Sequence, residues 1–278
     1  MATIRICSCV VAALALLAAI AAGGARAAEA PLVFIVHPFD TPSRLYERFR
    51  PLCDYLETVT SRPIRLRVAA TYDEQIAAIA DGRADLTYIG PTPYVLARAR
   101  GAVRLLAAEA TAEGPYYRSV IVVRSNSPIR QPADLRGRSM AFGADRSFSS
   151  SYIPRLMLQE AGVELGDLSR HDFLGRHERV ALAVLHGDFD AGGLRLDIAR
   201  QYLRRGLRVI AQSDPLPAHA IAASPALSPE TAERVRAALL APSPAGVAAI
   251  RALGPQVTFV ETADGDFDQA RRVLQRLR

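Results

Sequence analysis

A two-lobed α/β protein with a cleft between its lobes is the fold this sequence predicts, and three observations predict it. Short apolar runs alternate with helical spacing from Pro31 to Arg100. A second block from 139 to 211 repeats the alternation. Between them Ser119–Arg124 reads as a strand carrying the chain from one block to the other. Alternating strands and helices joined by short turns give a mostly parallel sheet covered on both faces. Two such units joined by a crossing strand leave a groove between them.

The elements follow in order. Leu32–Val36 is an apolar run closed by His37-Pro38, a first buried strand. From Leu45 to Val59, Leu45, Phe49, Leu52, Tyr55 and Leu56 fall on one helical face. Ile64–Val68 alternates as a second strand, Tyr72–Ala80 is helical, and Leu86–Ile89 is a third strand. Gly90-Pro91-Thr92-Pro93 then turns the chain into a helix over Tyr94–Arg100. After Ser119–Arg124 comes a short helix near Pro132–Leu135. The second block reads strand 139–142, helix 152–161, strand 170–174, helix 177–185, strand 189–192, helix 197–204 and strand 207–211. An apolar run around Ile221 and helices near 228–240, 243–252 and 266–277 complete the chain. The predicted units are 28–120 plus 220–278 for the first lobe and 121–219 for the second.

The N-terminus carries its own signal. Arg5 precedes an apolar run from Val10 to Ala22, and Ala25-x-Ala27 supplies the small residues of a cleavage site. Residues 1–27 therefore read as a secretory signal peptide, too short in its apolar part to span a bilayer comfortably. Its removal leaves Cys53 as the single thiol, so no internal disulfide is expected. The formal charge is +6, and loss of Arg5 and Arg26 lowers it to +4. That excess is spread along the chain without arginine runs, which argues against nucleic acid as a partner. Every basic residue counted is arginine. The absence of lysine excludes Schiff-base chemistry and the phosphate-binding lysine of P-loop proteins.

The stretch Ala141–Pro154 concentrates the chemistry. Ser147, Ser149, Ser150 and Ser151 lie between the strand ending at Gly143 and the helix opening near Ile153. A helix start leaves backbone N–H groups without partners and carries the positive dipole end. Hydroxyls placed there form a pocket for a small oxyanion, although Ser151 would also serve as a simple cap.

Further motifs follow one another along the chain. Tyr88-Ile89-Gly90-Pro91-x-x-Tyr94-Val95-Leu96-Ala97, Tyr117–Val122, and Ser127-Pro128-Ile129 with Asp134-Leu135-Arg136-Gly137 come first. The serine stretch, Gly175-Arg176-His177-Glu178, Gly187-x-x-Asp190-Ala191-Gly192 and Ser213-x-Pro215-Leu216-Pro217 come after. In this order the chain resembles the phosphate/phosphite/phosphonate-binding proteins of ABC importers over about residues 32–225. The resemblance implies a type II periplasmic binding protein, each lobe a mixed, mostly parallel sheet flanked by helices. It implies a monomer in the periplasm that closes over a small oxyanion and docks on a permease.

By position, the family's ligand contacts fall on Tyr72, Tyr117, Ser149, Ser150, Ser151, His177, Asp197 and His219. Thr92, at the start of the helix after Gly90-Pro91, is placed either to cap that helix or to reach the cleft. The resemblance implies no cofactor and no resident metal. Two positions depart from the members that hold an ammonium tail with acidic residues. Asp197 is shorter than the glutamate common there, and His219 replaces an aspartate. Phe148 makes one wall of the serine stretch more apolar. The oxyanion end is expected to be kept and the tail end remodelled, away from 2-aminoethylphosphonate.

Other readings of the same residues are a receptor for a membrane sensor, a receptor for another oxyanion such as a sulfonate, a serine hydrolase and a ferric-ion binder. Ser149, His177 and Asp197 contain the residue types of a hydrolase, but no Gly-x-Ser-x-Gly elbow accompanies them. The pair Tyr116-Tyr117 carries the iron reading, and strand alternation would turn the two phenols to opposite sides.

Overall fold

The computed structural model describes residues 30–277. The predicted signal peptide, 1–27, lies outside them. Thirteen strands and nine α-helices are present among the described residues. The strands used below are β1 (Leu32–Val36), β2 (Ile64–Val68), β3 (Leu86–Ile89), β4 (Arg104–Ala110), β5 (Tyr116–Tyr117), β6 (Ser119–Arg124), β7 (Ser139–Phe142), β8 (Arg170–Phe173), β9 (Ala191–Arg195), β10 (Leu207–Gln212), β11 (Leu216–Pro217), β12 (Ala220–Ala223) and β13 (Thr258–Val260). The helices are α1 (Pro42–Thr60), α2 (Tyr72–Ala80), α3 (Pro91–Arg100), α4 (Ile153–Glu160), α5 (His177–His186), α6 (Leu196–Leu203), α7 (Pro229–Leu240), α8 (Pro244–Arg251) and α9 (Asp268–Arg276).

Two sheets organise the molecule. The first runs β13-β4-β12-β3-β1-β2 and the second β10-β6-β9-β7-β8. Each has a parallel heart, β2-β1-β3 in one and β8-β7-β9 in the other. Antiparallel strands extend each heart: β12, β4 and β13 in the first sheet, β6 and β10 in the second. Both sheets are thus mixed, with less parallel pairing than simple alternation implies. The physical reason lies in β12, which returns from the second sheet and inserts antiparallel between β3 and β4.

The sequence pattern accounts for the layers. On β6, Val120 and Val122 face one way, toward α5 and α6, while Ile121 and Val123 pack under α4 with Met140 and Phe142. That two-residue period puts a core on each face of the second sheet. In the first sheet, Phe34, Leu66 and Tyr88 meet Phe49, Leu52 and Cys53 of α1 on one face. Ile89 meets Ile76, Ile79 and Tyr94 on the other. Buried among these side chains, the Cys53 thiol is pushed up to about 12 by burial, which keeps it unreactive.

The chain passes between the sheets twice, after β4 and after β10. The two passages pair with each other, because β5 and β11 form an antiparallel ribbon with Tyr117 opposite Leu216. A third connection comes from α9. Its Ala270, Val273 and Leu274 pack with Phe148, Tyr152 and Ile153 and with Val95 and Leu96 of α3.

Three differences from the sequence reading stand out. The strand Arg104–Ala110 has no counterpart in it, because Leu-Leu-Ala-Ala-Glu-Ala carries little intrinsic strand preference and owes its form to partners on both sides. Strand β13 also has no counterpart, because Thr258-Phe259-Val260 is only three residues long and forms an edge paired with β4 alone. The helix expected from 152 begins earlier, with a single π turn over Phe148–Tyr152, so the serines form its first turn.

Candidate ligand-binding site

The serine turn packs unusually close to the second sheet, and glycines make this possible. A Cβ on Gly143 would fall 2.0 Å from Ser150 Oγ, and one on Gly193 would fall 2.6 Å from Pro154 Cγ. In that space Gly143 N–H donates to the Ser150 carbonyl at 2.9 Å, and Ser119 Oγ donates to the Ser149 carbonyl at 2.6 Å. Ser147 caps the turn, its Oγ accepting from Ser150 N–H at 3.3 Å and pairing with Ser150 Oγ at 2.8 Å. The first N–H groups of a helix have no acceptor one turn back. With that of Ser150 taken, those of Phe148 and Ser149 remain at the mouth of a cavity that both residues line.

This cavity holds about 280 Å³ and lies between the two sheets. Tyr72, at the start of α2, brings its phenol to Ser147, and Tyr117 of the crossing ribbon brings its own to Ser149. Burial raises the pKa of both phenols, outweighing the serine contacts, so each remains an O–H donor. His177 sits at the start of α5. Its Nδ1 accepts from Arg195 N–H at 3.4 Å, which leaves the proton on Nε2. Burial, followed by the nearby Arg195 charge, lowers this imidazole to about 4 despite Asp197. It is a neutral donor.

The opposite wall is built from rings. His219 stacks on Tyr88, with centroids 4.9 Å apart and planes 5° apart, and on His37 at 5.5 Å. His37 also packs on Tyr72 at 4.6 Å. Gly90 leaves room for this ring: a Cβ there would lie 3.0 Å from His219 Nε2, and the ring would have to give by a few tenths of an ångström. Burial lowers His37 to about 3 against a hydrogen bond with the Tyr88 backbone, and lowers His219 well below the ordinary range. Behind the rings, the Tyr88 hydroxyl donates to the buried Glu109 carboxylate.

Charge enters from four arginines. Arg195, the last residue of β9, has a side chain 21% exposed and grips Asp197 with two bonds of 2.6 Å. Burial opposes each charge, but the pairing overrides it, holding Asp197 at about 2 and Arg195 above its ordinary value. Arg44 pairs with Asp40 at 3.6 Å and Glu178 at 3.7 Å. Arg48 and Arg176 also line the cavity.

Of the residues singled out from sequence, Tyr72, Tyr117, Ser149, His177 and His219 line this cavity. Ser150 and Ser151 are buried behind it, Ser150 spent on Ser147 and the Ser151 hydroxyl without a partner. Thr92 is fully buried and does not line the cleft, since the first turn of α3 packs under β3. Asp197 departs most from expectation. Both its oxygens belong to Arg195, and it lines a neighbouring cavity of about 230 Å³ beyond Arg195, Tyr117 and His219. Nor does a hydrolase relay assemble, because His177 Nδ1 accepts a hydrogen bond and has no proton to give Asp197. Tyr116 is 52% exposed while Tyr117 lines the cleft, so the two phenols do not converge.

Sequence reasoning missed His37, Arg195 and Arg48, and named Ser147 only as one of the hydroxyl run. Signals existed for two of them. His37 directly follows β1 at the carboxyl edge of a parallel sheet, where ligands collect. Arg195 and Asp197 flank the junction of β9 and α6, a spacing that lets a guanidinium reach back to a carboxylate in the first helical turn.

Two mixed sheets joined by a paired crossing, with a polar cavity between them, define the type II periplasmic solute-binding fold. The sequence profile of the phosphonate-binding family (ABC transporter, phosphonate, periplasmic substrate-binding protein) matches residues 34–267, and the chain belongs to that family. The phosphate-import protein PhnD of Mycolicibacterium smegmatis is 29% identical over 217 residues, covering 72% of this chain and 68% of that protein. Among solved structures, PhnD1 of Prochlorococcus marinus in complex with methylphosphonate superposes with a TM-score of 0.79 at 18% identity, covering 88% of this chain and 97% of the other. A binding-protein component of an ABC phosphonate transporter from Pseudomonas aeruginosa gives 0.77 at 20% identity, covering 87% and 85%.

Proposed function

We propose that this chain is exported, captures a phosphorus oxyanion in the cleft, and delivers it as a monomer to the permease of an ABC importer. Phosphate, phosphite and simple phosphonates are the candidate ligands; the similar proteins are named for phosphate import or hold methylphosphonate. The observation that carries the reading is the convergence of donors from both sheets on one small volume. Ser149, the N–H groups of the serine turn and His177 Nε2 come from the second sheet, Tyr72 from the first, and Tyr117 from the crossing ribbon. All are neutral and fixed by their own bonds, so they surround an anion without reorganising.

Capture works by closure. The halves 28–120 plus 220–278 and 121–219 move about the β5-β11 ribbon. A ligand touching both halves stabilises the closed form, because only differential affinity shifts such an equilibrium. No covalent step is required. Asp197, spent on Arg195, takes no direct part.

The test is a thermal-shift titration with phosphate, phosphite, methylphosphonate and methanesulfonate. A ligand that binds only the folded state raises the melting temperature. At least one phosphorus oxyanion is expected to do so, and Ser149→Ala to weaken it by roughly tenfold or more, the worth of a hydrogen bond to a charged group. Silence from all three phosphorus compounds, or an unaffected Ser149→Ala, overturns the reading.

A further inference from the structure

The cavity is larger and more cationic than one phosphoryl group requires. Four arginines line it against two carboxylates, Asp40 and Glu178, and both carboxylates pair with Arg44. Arg195 is neutralised by Asp197 from outside the cavity. Two guanidinium groups are left over. Arg176 makes no ion pair among the described residues, and Arg48 makes neither an ion pair nor a hydrogen bond there. Arg48 rests on the face of Phe39 at 5.6 Å, and its Nε is buried without a partner. Its charge bears on Tyr88 and His219, which places it at the ring wall, away from the serine turn.

Arg48 is half-buried, and a guanidinium whose Nε is shielded from water without a partner favours a negative charge beside it. The three histidines supply no negative charge, and burial keeps all of them neutral. The carboxylate of this wall, Glu109, is engaged by the Tyr88 hydroxyl and does not line the cavity. A counter-charge for Arg48 is left for the ligand to supply.

We infer that the ligand is a phosphonate carrying a second acidic group, a carboxylate, which Arg48 receives while the serine turn holds the phosphoryl end. The inference rests on the phosphorus-oxyanion reading above and adds the chemistry of the tail. A planar guanidinium fork matches a carboxylate with two parallel bonds. Arg48 belongs to α1, which packs on the first sheet, and the serine turn packs on the second. The two acid groups therefore engage opposite walls, and one molecule bridges the cleft. An ammonium tail would instead meet like charge.

The experiment compares ethylphosphonate, 3-phosphonopropionate, phosphonoacetate and 2-aminoethylphosphonate by calorimetric titration of the wild-type chain and of Arg48→Gln. In the wild type, at least one carboxylate-bearing compound is expected to bind tenfold or more tightly than ethylphosphonate, with the aminated compound weakest. In Arg48→Gln that advantage should fall to about twofold or less. Equal affinity for the acidic and neutral compounds, tightest binding of the aminated one, or an advantage that survives Arg48→Gln overturns the inference. If the variant does not fold, the wild-type ranking decides alone. Failure of every phosphonate to bind is a different result and strikes the function proposed above.

Discussion

On the serine side of the cleft, polar groups are held by backbone. Gly143, Ser119 and Ser147 each fix one part of the turn, and nothing ionic is involved. On the ring side, three stacked aromatic groups, His37, His219 and Tyr88, carry the polar atoms, with Arg48 and Arg195 beside them. The first wall depends on close packing and tolerates almost no added volume. The second depends on protonation state and on charge, and its residues are reached from distant parts of the chain. The contrast separates the walls physically: a turn fixed by close packing on one side, and a surface of rings and charges on the other.

The sharpest way to break this contrast is to add one methyl group to the serine wall. In Gly143→Ala the new Cβ would sit 2.0 Å from Ser150 Oγ and 2.7 Å from Ser150 Cβ, with the Gly175 carbonyl 3.8 Å away. Something must move. Overpacking of this kind costs about 1–3 kcal/mol, occasionally more. Urea unfolding is expected to show that loss, and the thermal shift with phosphorus oxyanions to disappear because the turn is displaced. Gly265→Ala is the control, as nothing lies within 4 Å of its Cβ. A Gly143→Ala protein with wild-type stability and an intact ligand response would show that the turn is not the rigid half.

The same contrast explains what could be read from sequence. The serine wall is a local object: a strand, a glycine, a run of hydroxyls and a helix, all within residues 139–160. Its chemistry was therefore visible, as was the two-residue period that buries Val120 and Val122 on one face of β6 and Ile121 and Val123 on the other. Helix α1 was legible through Leu45, Phe49, Leu52 and Leu56, with Pro42 opening it. The ring wall has no such continuity. His37 follows β1, Tyr88 lies in β3, and His219 precedes β12; only sheet pairing brings them together. Resemblance supplied His219 but not His37, and it placed Asp197 among the ligand contacts without revealing that Arg195 engages that carboxylate, which depends on three-dimensional placement. Arg48 carries no local signal that sets it apart from the other polar positions of α1. Strand β4 escaped notice because alanines become a strand only when neighbours on both sides supply the hydrogen bonds.

Titration sharpens the comparison at intermediate strength. The ring wall contains His37, lowered to about 3, and His219, lowered well below the ordinary range; His177 across the cleft is lowered to about 4. The unfolded chain binds protons on these groups near pH 6.5, whereas the folded chain refuses them until the pH is far lower. Between about pH 6.5 and pH 4 the unfolded state therefore holds more protons, and stability falls as pH falls. One refused proton corresponds to at most about 1.4 kcal/mol per pH unit. His37 faces Phe39, Tyr72, Tyr88 and His219, with no carboxylate in contact to rescue its charge. His37→Asn should flatten the slope of unfolding free energy against pH across this window by up to one proton. An identical slope in that variant would show that His37 is not held neutral by the fold.

The smallest effect concerns what joins the walls when no ligand is bound. Two ion pairs cross the rim: Arg44 on α1 with Glu178 on α5 at 3.7 Å, and Arg146 before the serine turn with Asp73 on α2 at 3.1 Å. Their side chains are between 39% and 68% exposed, so each is worth about 0–1 kcal/mol and is screened by salt. Asp73→Asn with Glu178→Gln should weaken ligand binding no more than a few-fold at low ionic strength, and the difference from wild type should vanish in about 1 M salt, where the screening length is near 3 Å. This outcome would mean that the rim pairs guide closure but the ligand holds it, as expected if the free energy resides in the buried donors of both walls. A loss of tenfold or more that persists in high salt would reverse that order, making the rim the latch and the cleft chemistry secondary.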